Sequence, residues 1–222
     1  MRRSLQTALP LAAVAATLLA GCGSEGGSET ATTAAGCVRV AAPEVKTGQI
    51  YRRPTERLTA GVEWQAVVDT NCGSFTIALD TRDSPRTASS FAALARRGFY
   101  DDLTFHRIAP GFVIQGGDPL GNGTGGPGYT IAEKPPRSAR YVKGTVAMAK
   151  TATDPDGASG SQFFVVTADD AELPPQYAVL GTVVSGLDVV ETIEQQPLQE
   201  NDPQGSEPVD PVVIDSITIA EG

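Results

Sequence analysis

The sequence has few of the residues that carry nucleophilic and acid–base catalysis. His106 is the only histidine in 222 residues, and there are three cysteines. No Ser or Cys arrangement typical of a catalytic triad accompanies His106. We therefore favour a structural, hydrogen-bonded His106, and a general base is the alternative.

Aromatic residues are also scarce, at 6% of the chain, whereas glycine (24) and proline (16) are abundant. This composition is typical of many short strands joined by turns and disfavours a helical bundle. Hydrophobic residues make up 41% of the sequence, which is enough for a real core and excludes a largely disordered chain. We expect one mainly β domain with extensions.

Positive charge is in short supply, since the formal net charge is -9 at pH 7. Binding to phosphates requires a basic face that releases counterions, so no nucleic-acid partner is expected. For the same reason, the protein surface itself should not be attracted to anionic lipid headgroups.

No apolar run is long enough to span a bilayer comfortably. The stretch from Ala8 to Ala20 follows Arg2 and Arg3, which is typical of an export signal. We predict that residues 1–21 are a signal peptide that is removed.

The end of this segment, Leu19-Ala20-Gly21-Cys22, resembles the bacterial lipobox, in which the cysteine becomes the lipidated first residue of the mature protein. An ordinary signal peptide followed by a chance cysteine is the alternative. Two or more acyl chains hold a soluble domain stably at a bilayer. The expected location is therefore the outer face of the bacterial plasma membrane, with membrane contact through the lipid on Cys22 only.

The rest of the chain divides into three parts. Residues 22–36 contain the lipidated cysteine and a flexible linker rich in Gly, Ser, Glu, Thr and Ala. Residues 37–61 show neither helical nor strand periodicity and are predicted to be an irregular N-terminal extension. Residues 62–222 form the folded domain.

Periodicity predicts the main elements of that domain. Apolar residues alternate from Trp64 to Val68 and from Phe75 to Leu79 around a turn at Asn71-Cys72-Gly73, which predicts a β-hairpin. Ser84-Pro85 can begin a helix that ends before Gly98. The sequence also predicts a second, shorter helix with Leu187, Val190 and Ile193, and a final strand from Val212 to Ile219.

Cys37 and Cys72 remain after lipidation uses Cys22. In an exported protein an even pair of cysteines is usually oxidised. We therefore favour a Cys37–Cys72 disulfide over two free thiols, and it would tie the irregular extension to the hairpin turn.

The densest motif runs from Phe105 to Asp118 and reads FHRIAPGFVIQGGD; it resembles the signature segment of cyclophilins nearly residue for residue. A second block, Gly160-Ser161-Gln162-Phe163-Phe164, matches the strand that faces this segment in the family. The resemblance implies a mainly β fold, a closed eight-stranded antiparallel β-barrel capped by two α-helices. It also implies a peptidyl-prolyl cis-trans isomerase without cofactor or metal. Together with the export signal, this predicts proline-containing segments of exported polypeptides as partners, and we expect a monomer.

The chemistry of prolyl isomerisation suits these residues. The reaction removes amide resonance across a barrier of about 18–20 kcal/mol and needs no nucleophile. A guanidinium near the prolyl nitrogen can stabilise the lone pair released as the amide twists, and an apolar pocket can hold the ring and exclude water. Side chains separated by an even number of residues share a face of a strand, so a turn or bulge at Pro110-Gly111 must bring Arg107 into phase with Phe112 and Gln115.

The resemblance assigns a role to each site residue. The catalytic cation is Arg107, and Gln115, Ala149 and Lys150 bind the substrate backbone with Gln162 beside them. The proline pocket consists of Phe112, Val113, Phe164, Leu173 and Tyr177.

Four positions depart from the family pattern. Val113 stands where Met is usual, Lys150 where Asn is usual, and Tyr177 where the family commonly has His. Glu172 occupies the position of an aromatic residue, often Trp. Because that aromatic helps hold cyclosporin in the family, we expect only weak cyclosporin binding.

Other interpretations are weaker. The glycines around Gly116-Gly117-Asp118 lack the Lys-Ser/Thr of a phosphate loop, and Asp154, Asp156 and Gly157 lack the distal Glu of a calcium loop. A non-catalytic module that binds proline segments is the main alternative function, because Tyr177 and Glu172 depart from the pattern. A surface adhesin or structural lipoprotein is a third, supported only by the anchor.

Overall fold

Eleven strands and two helices make up the regular structure of residues 31–200 and 205–222, the parts of the chain that the computed structural model describes. The predicted signal peptide and Cys22 lie outside the described residues. The helices are α1 Pro85–Ala95 and α2 Leu187–Glu194. The strands are β1 Trp64–Thr70, β2 Gly73–Leu79, β3 Leu103–Thr104, β4 Arg107–Ala109, β5 Val113–Gly116, β6 Ile131–Ala132, β7 Thr145–Met148, β8 Ala158–Ser159, β9 Phe163–Val166, β10 Val179–Ser185 and β11 Val213–Glu221.

Nine of these strands form one curled antiparallel sheet, in the order β3-β11-β1-β2-β10-β7-β9-β5-β4, and β6 and β8 form a separate pair. The expectation of a closed eight-stranded barrel was wrong, because the sheet is open between its edge strands β3 and β4. These strands follow each other in the chain, and only Phe105 and His106 separate them. The outer edge of β4 instead bonds to a loop, through Ile108 and Ser206 with N···O distances of 2.9 and 3.0 Å.

The predicted hairpin and both predicted helices are confirmed. β1 pairs with β2 from Gln65↔Ala78 to Thr70↔Gly73, and alternate residues of both strands are buried. The final strand is also present, as β11. It pairs along the whole of β1, on the edge of β1 opposite to β2.

Helix α1 packs on the inner side of the sheet with Phe91 and Leu94 buried. Its first turn has no side-chain cap from Ser84. Instead, the carboxylate of Glu133 accepts hydrogen bonds from the backbone N–H groups of Arg86 (2.9 Å) and Thr87 (2.7 Å). A carboxylate at the N-terminus of a helix satisfies backbone N–H groups that lack a partner within the helix, and it complements the helix dipole. Glu133, although distant in sequence, therefore caps α1 in place of Ser84.

The extension between residues 39 and 61 contains neither helix nor strand, and Leu58 anchors it in the core. The predicted Cys37–Cys72 disulfide is present and joins this extension to the β1–β2 turn. Asn71 reinforces the junction, since its side-chain amide donates to the carbonyls of Val38 (2.7 Å) and Pro211 (3.0 Å). No helix in the described part of the chain is long and apolar enough to cross a bilayer.

Candidate active site

The register of β4, β5 and β9 sorts their side chains onto two faces of the sheet. Arg107 pairs with Gln115, and Gln115 pairs in turn with Phe164 on β9. Cross-strand partners lie on the same face, so these three residues share the outer face. The intervening Ile108 and Ile114 are fully buried in the main core on the other face. The turn at Pro110-Gly111 therefore brings Arg107 and Gln115 together as predicted.

A chain of polar side chains crosses this outer face. The Arg107 guanidinium donates to Gln115 Oε1 (Nη1···Oε1 3.0 Å), and the Gln115 amide donates to Gln162 Oε1 (3.0 Å). The Gln162 amide donates to the carbonyls of Gly123 (3.0 Å) and Gly125 (2.9 Å). Arg107 is half-buried. Its guanidinium is therefore held in a fixed orientation while part of it stays accessible to a ligand.

Beside this chain lies a small apolar cluster, separate from the main core. Val113 and Phe164 form its buried floor, at 2% and 5% exposure, and Phe112, Leu173 and Tyr177 are half-buried around it. The rings of Phe164 and Tyr177 meet edge to face, with centroids 5.5 Å apart. The residues predicted to hold a prolyl ring thus lie together, next to Arg107 and Gln115; their roles in binding remain predictions.

Tyr141 is a buried part of this cluster that the sequence analysis missed. Its hydroxyl donates to the backbone carbonyl of Tyr177 (2.6 Å) and accepts from the N–H of the same residue (3.0 Å). Burial raises the pKa of Tyr141, which keeps this hydroxyl protonated. Tyr141 therefore fixes the backbone that presents Tyr177, and a tyrosine in a polar stretch gives no sequence signal of that role.

Glu194, at the end of α2, is a second missed residue. Its Oε1 accepts from the N–H of Gly111 (2.7 Å) and from the hydroxyl of Thr167. Gly111 has a φ of +71°, which favours glycine, and it directly precedes Phe112. The carbonyl of Phe112 accepts from Thr167 N (3.0 Å). Glu194 and Thr167 thus hold the turn that presents Phe112.

A groove of about 550 Å³ lies beside Gln115. Ala149 and Lys150 line one side, and the glycine-rich stretch 123–128 lines the other. The Lys150 ammonium lies 5.5 Å from the centroid of the Tyr177 ring and donates to the carbonyls of Thr151 and Asp154. Lys150 therefore contacts both the groove and the apolar cluster.

His106 lies between β3 and β4 and is buried. It is 7% exposed, and a hydrogen bond with the backbone of Thr104 opposes the effect of burial on its pKa. Burial lowers the pKa of His106, which favours the neutral ring at pH 7. It lines a second cavity of about 410 Å³, together with Arg107, Glu200 and Glu207.

Two further positions from the sequence analysis lie on exposed loops. Glu172 precedes Leu173 and has a φ of +53°, in the left-handed region. The carboxylate of Asp154 accepts from the N–H and hydroxyl of Thr151, both at 2.8 Å, and these bonds lower its pKa. Within the described ranges, no cluster of His, Cys, Asp or Glu could hold a metal ion.

Comparison with known proteins identifies the family of this chain. The sequence profile of the family described as cyclophilin type peptidyl-prolyl cis-trans isomerase/CLD matches residues 66–219. The chain belongs to the cyclophilin family. It is accordingly a peptidyl-prolyl cis-trans isomerase of the EC 5.2.1.8 class.

Bacterial cyclophilins are among its relatives. Peptidyl-prolyl cis-trans isomerase A of Mycobacterium tuberculosis (strain ATCC 25618 / H37Rv) is 36% identical over 173 residues, which cover 70% of this chain and 91% of the relative. Peptidyl-prolyl cis-trans isomerase B of Bacillus subtilis is 47% identical over 106 residues, covering 47% and 72%. A cyclophilin from Cryptosporidium parvum, solved in the presence of the dipeptide Ala-Pro, has a TM-score of 0.63 and 31% identity, covering 71% of this chain and 99% of that one.

Proposed function

We propose that this cyclophilin isomerises Xaa-Pro bonds of exported polypeptides and assists their folding at the cell envelope, as a monomer anchored through Cys22. The export signal and the lipobox-like segment support the location. The presence of Ala-Pro with the Cryptosporidium parvum relative supports proline-containing peptides as the ligand class. The net charge of -9 supports the lipid, not the protein surface, as the membrane contact.

The proposed mechanism is electrostatic and involves no covalent intermediate. The proline ring sits on Val113 and Phe164, and the Arg107 guanidinium stabilises the prolyl nitrogen lone pair as the amide twists. The observation that carries this mechanism is the Arg107–Gln115 hydrogen bond of 3.0 Å beside the apolar cluster. A guanidinium already oriented in a partly desolvated site needs little reorganisation when the charge distribution of the amide changes.

The function is tested by NMR exchange on Ala-Xaa-Pro-Phe peptides, in which the cis and trans proline forms give separate signals. Uncatalysed exchange takes about 10–100 s. We expect the Cys22→Ser protein, used here as a soluble form, to accelerate exchange at concentrations far below that of the peptide. Exchange at the uncatalysed rate would contradict catalysis and would favour the non-catalytic binding module.

The lipid anchor is tested by mass spectrometry and fractionation of the protein expressed in a bacterium. We expect a mature chain that starts at acylated Cys22 and partitions with membranes, and we expect the Cys22→Ser variant to lose that partitioning. A Cys37→Ser/Cys72→Ser variant, which alters the other two cysteines, should remain with membranes. Recovery of unmodified full-length wild-type protein from the medium would refute the anchor.

Cyclosporin should inhibit the wild-type enzyme about tenfold to a hundredfold more weakly than it inhibits a Glu172→Trp variant. A carboxylate next to an apolar macrocycle adds a desolvation cost and offers neither flat apolar area nor an indole N–H donor. The measurement is a paired inhibition curve. A Glu63→Trp variant, which adds the same side chain on another part of the surface, should behave like wild type. Equal inhibition of wild type and Glu172→Trp would show that Glu172 does not occupy the aromatic position.

A further inference from the structure

The groove beside Gln115 has one wall of unusual composition, a Gly-rich loop of residues 119–128 that contains five glycines. It contains neither helix nor strand. Glycine loses more conformational freedom on ordering than any other residue, so such a loop needs external contacts to keep one shape.

Inside the protein, two side chains hold the loop between Leu120 and Gly125. Asp118 is 1% exposed, and its carboxylate accepts from the N–H groups of Leu120 (2.8 Å), Asn122 (3.1 Å) and Gly123. The Gln162 amide, described above, donates to two carbonyls of the same loop. The carbonyls of Pro119 and Pro127, near the two ends of the loop, bond to neither side chain.

Both of those ends are held from outside by the irregular extension. We name residues 37–58 the strap. The N–H of Lys46 donates to the carbonyl of Pro119 (2.8 Å), and the N–H of Tyr51 donates to the carbonyl of Pro127 (2.9 Å). Ile50 lies so close to Gly128 that a Cβ there would be 2.9 Å from Ile50 Cγ2. The strap therefore spans the loop and contacts it near its beginning and its end.

The strap has its own attachments to the domain. The ring of Tyr51 meets Phe99 edge to face, with centroids 5.1 Å apart, and Phe99 is buried in the main core. The Lys46 ammonium donates to the backbone carbonyl of Asp101. Leu58, at the far end, is buried and donates its N–H to Ser89 Oγ (3.0 Å). These contacts fix the strap so that it can in turn fix the loop.

We infer that the strap is a positioning element of the active site, which holds the Gly-rich loop in the shape that binds the peptide on either side of the proline. The inference rests on the proposed function. The strap lies outside residues 66–219, the part of the chain that matches the family. Because Arg107 and the floor of the apolar cluster, Val113 and Phe164, belong to the sheet, loss of the strap contacts should weaken binding of extended peptides and leave the rate of the chemical step unchanged. Pre-ordering the loop lowers the entropic cost of binding.

The test compares Tyr51→Ala with Tyr51→Phe, which keeps the ring that packs on Phe99. For a peptide with three residues on each side of the proline, we expect Tyr51→Ala to raise KM by about three- to tenfold with kcat unchanged. The KM of a minimal Ala-Pro peptide should not change, and Tyr51→Phe should restore wild-type values. Backbone amides of the loop should also exchange faster with solvent in Tyr51→Ala.

Two further variants separate positioning from general loss of stability. Lys46→Ala removes a surface contact of the strap without leaving a cavity in the core, and we expect a smaller rise of KM, about twofold. Ile217→Val removes one methylene from the core at β11, away from the strap, and should lower stability without affecting KM. A rise of KM in Ile217→Val that matches its loss of stability, or an unchanged KM in Tyr51→Ala, would overturn the inference. Inactive wild-type protein would instead refute the proposed function.

Discussion

Replacement of Arg107 by alanine should lower kcat/KM for prolyl isomerisation by on the order of 10²–10³, because one preorganised donor contributes roughly 2.7–4 kcal/mol to transition-state stabilisation. The loss should fall mainly on kcat, since the guanidinium acts on the twisted amide, whereas the proline ring still finds Val113 and Phe164. Exchange NMR or a protease-coupled assay gives both parameters.

The protein should stay folded in this variant. Gln115 keeps its hydrogen bond to Gln162, and Arg107 is only half-buried, so no large core cavity forms. Arg107→Lys keeps the charge but loses the planar guanidinium that donates to Gln115. The activity of this variant should lie between those of the wild type and Arg107→Ala. Arg96→Ala is a matched control, because Arg96 lies 5.2 Å from the centroid of the Trp64 ring, away from the outer face of β4. Wild-type activity in Arg107→Ala would refute the mechanism.

The sequence predicted those parts of the site in which the interacting residues lie close together in the chain. Arg107 and Gln115 are eight residues apart on the two arms of a hairpin, and the Pro-Gly pair between them indicates the turn. The alternation in β1 and β2, and the proline and glycine that bound α1, are likewise local signals. The family motif then identified the partner strand, β9, which pattern alone could not have paired with β5.

The features that the sequence did not predict depend on contacts between distant segments. Tyr141 reaches Tyr177 across 36 residues, and Glu194 reaches Gly111 across 83. Neither contact produces a periodic pattern, because each depends on how whole elements pack. The open edge of the sheet was missed for the same reason, since the partner of Ile108 is Ser206 in an irregular loop. The contacts of the strap with the Gly-rich loop were the hardest to predict from the sequence. They are backbone hydrogen bonds, which do not depend on residue type.

Removal of the Cys37–Cys72 disulfide should lower the free energy of unfolding by roughly 3–4 kcal/mol, the value expected from loop-closure entropy for this chain separation. The two cysteines are 35 residues apart, so the cross-link restricts a sizeable part of the unfolded chain. Against a typical total of about 5–15 kcal/mol, this is a large fraction of the stability. The Cys37→Ser/Cys72→Ser variant is preferred to either single variant, because it leaves no free thiol behind.

Denaturation in guanidinium chloride measures the effect, and a lower midpoint with a similar slope indicates a change in stability alone. Cys22→Ser, which leaves the bridge intact, is the matched control and should not shift the midpoint of the soluble protein. Before reduction, alkylating reagents should label neither Cys37 nor Cys72. Rapid labelling of both in the native protein, or an unchanged midpoint in the double variant, would refute a stabilising disulfide. Since Lys46 and Tyr51 keep their own contacts with the Gly-rich loop, the double variant should retain the wild-type KM in conditions where it is folded.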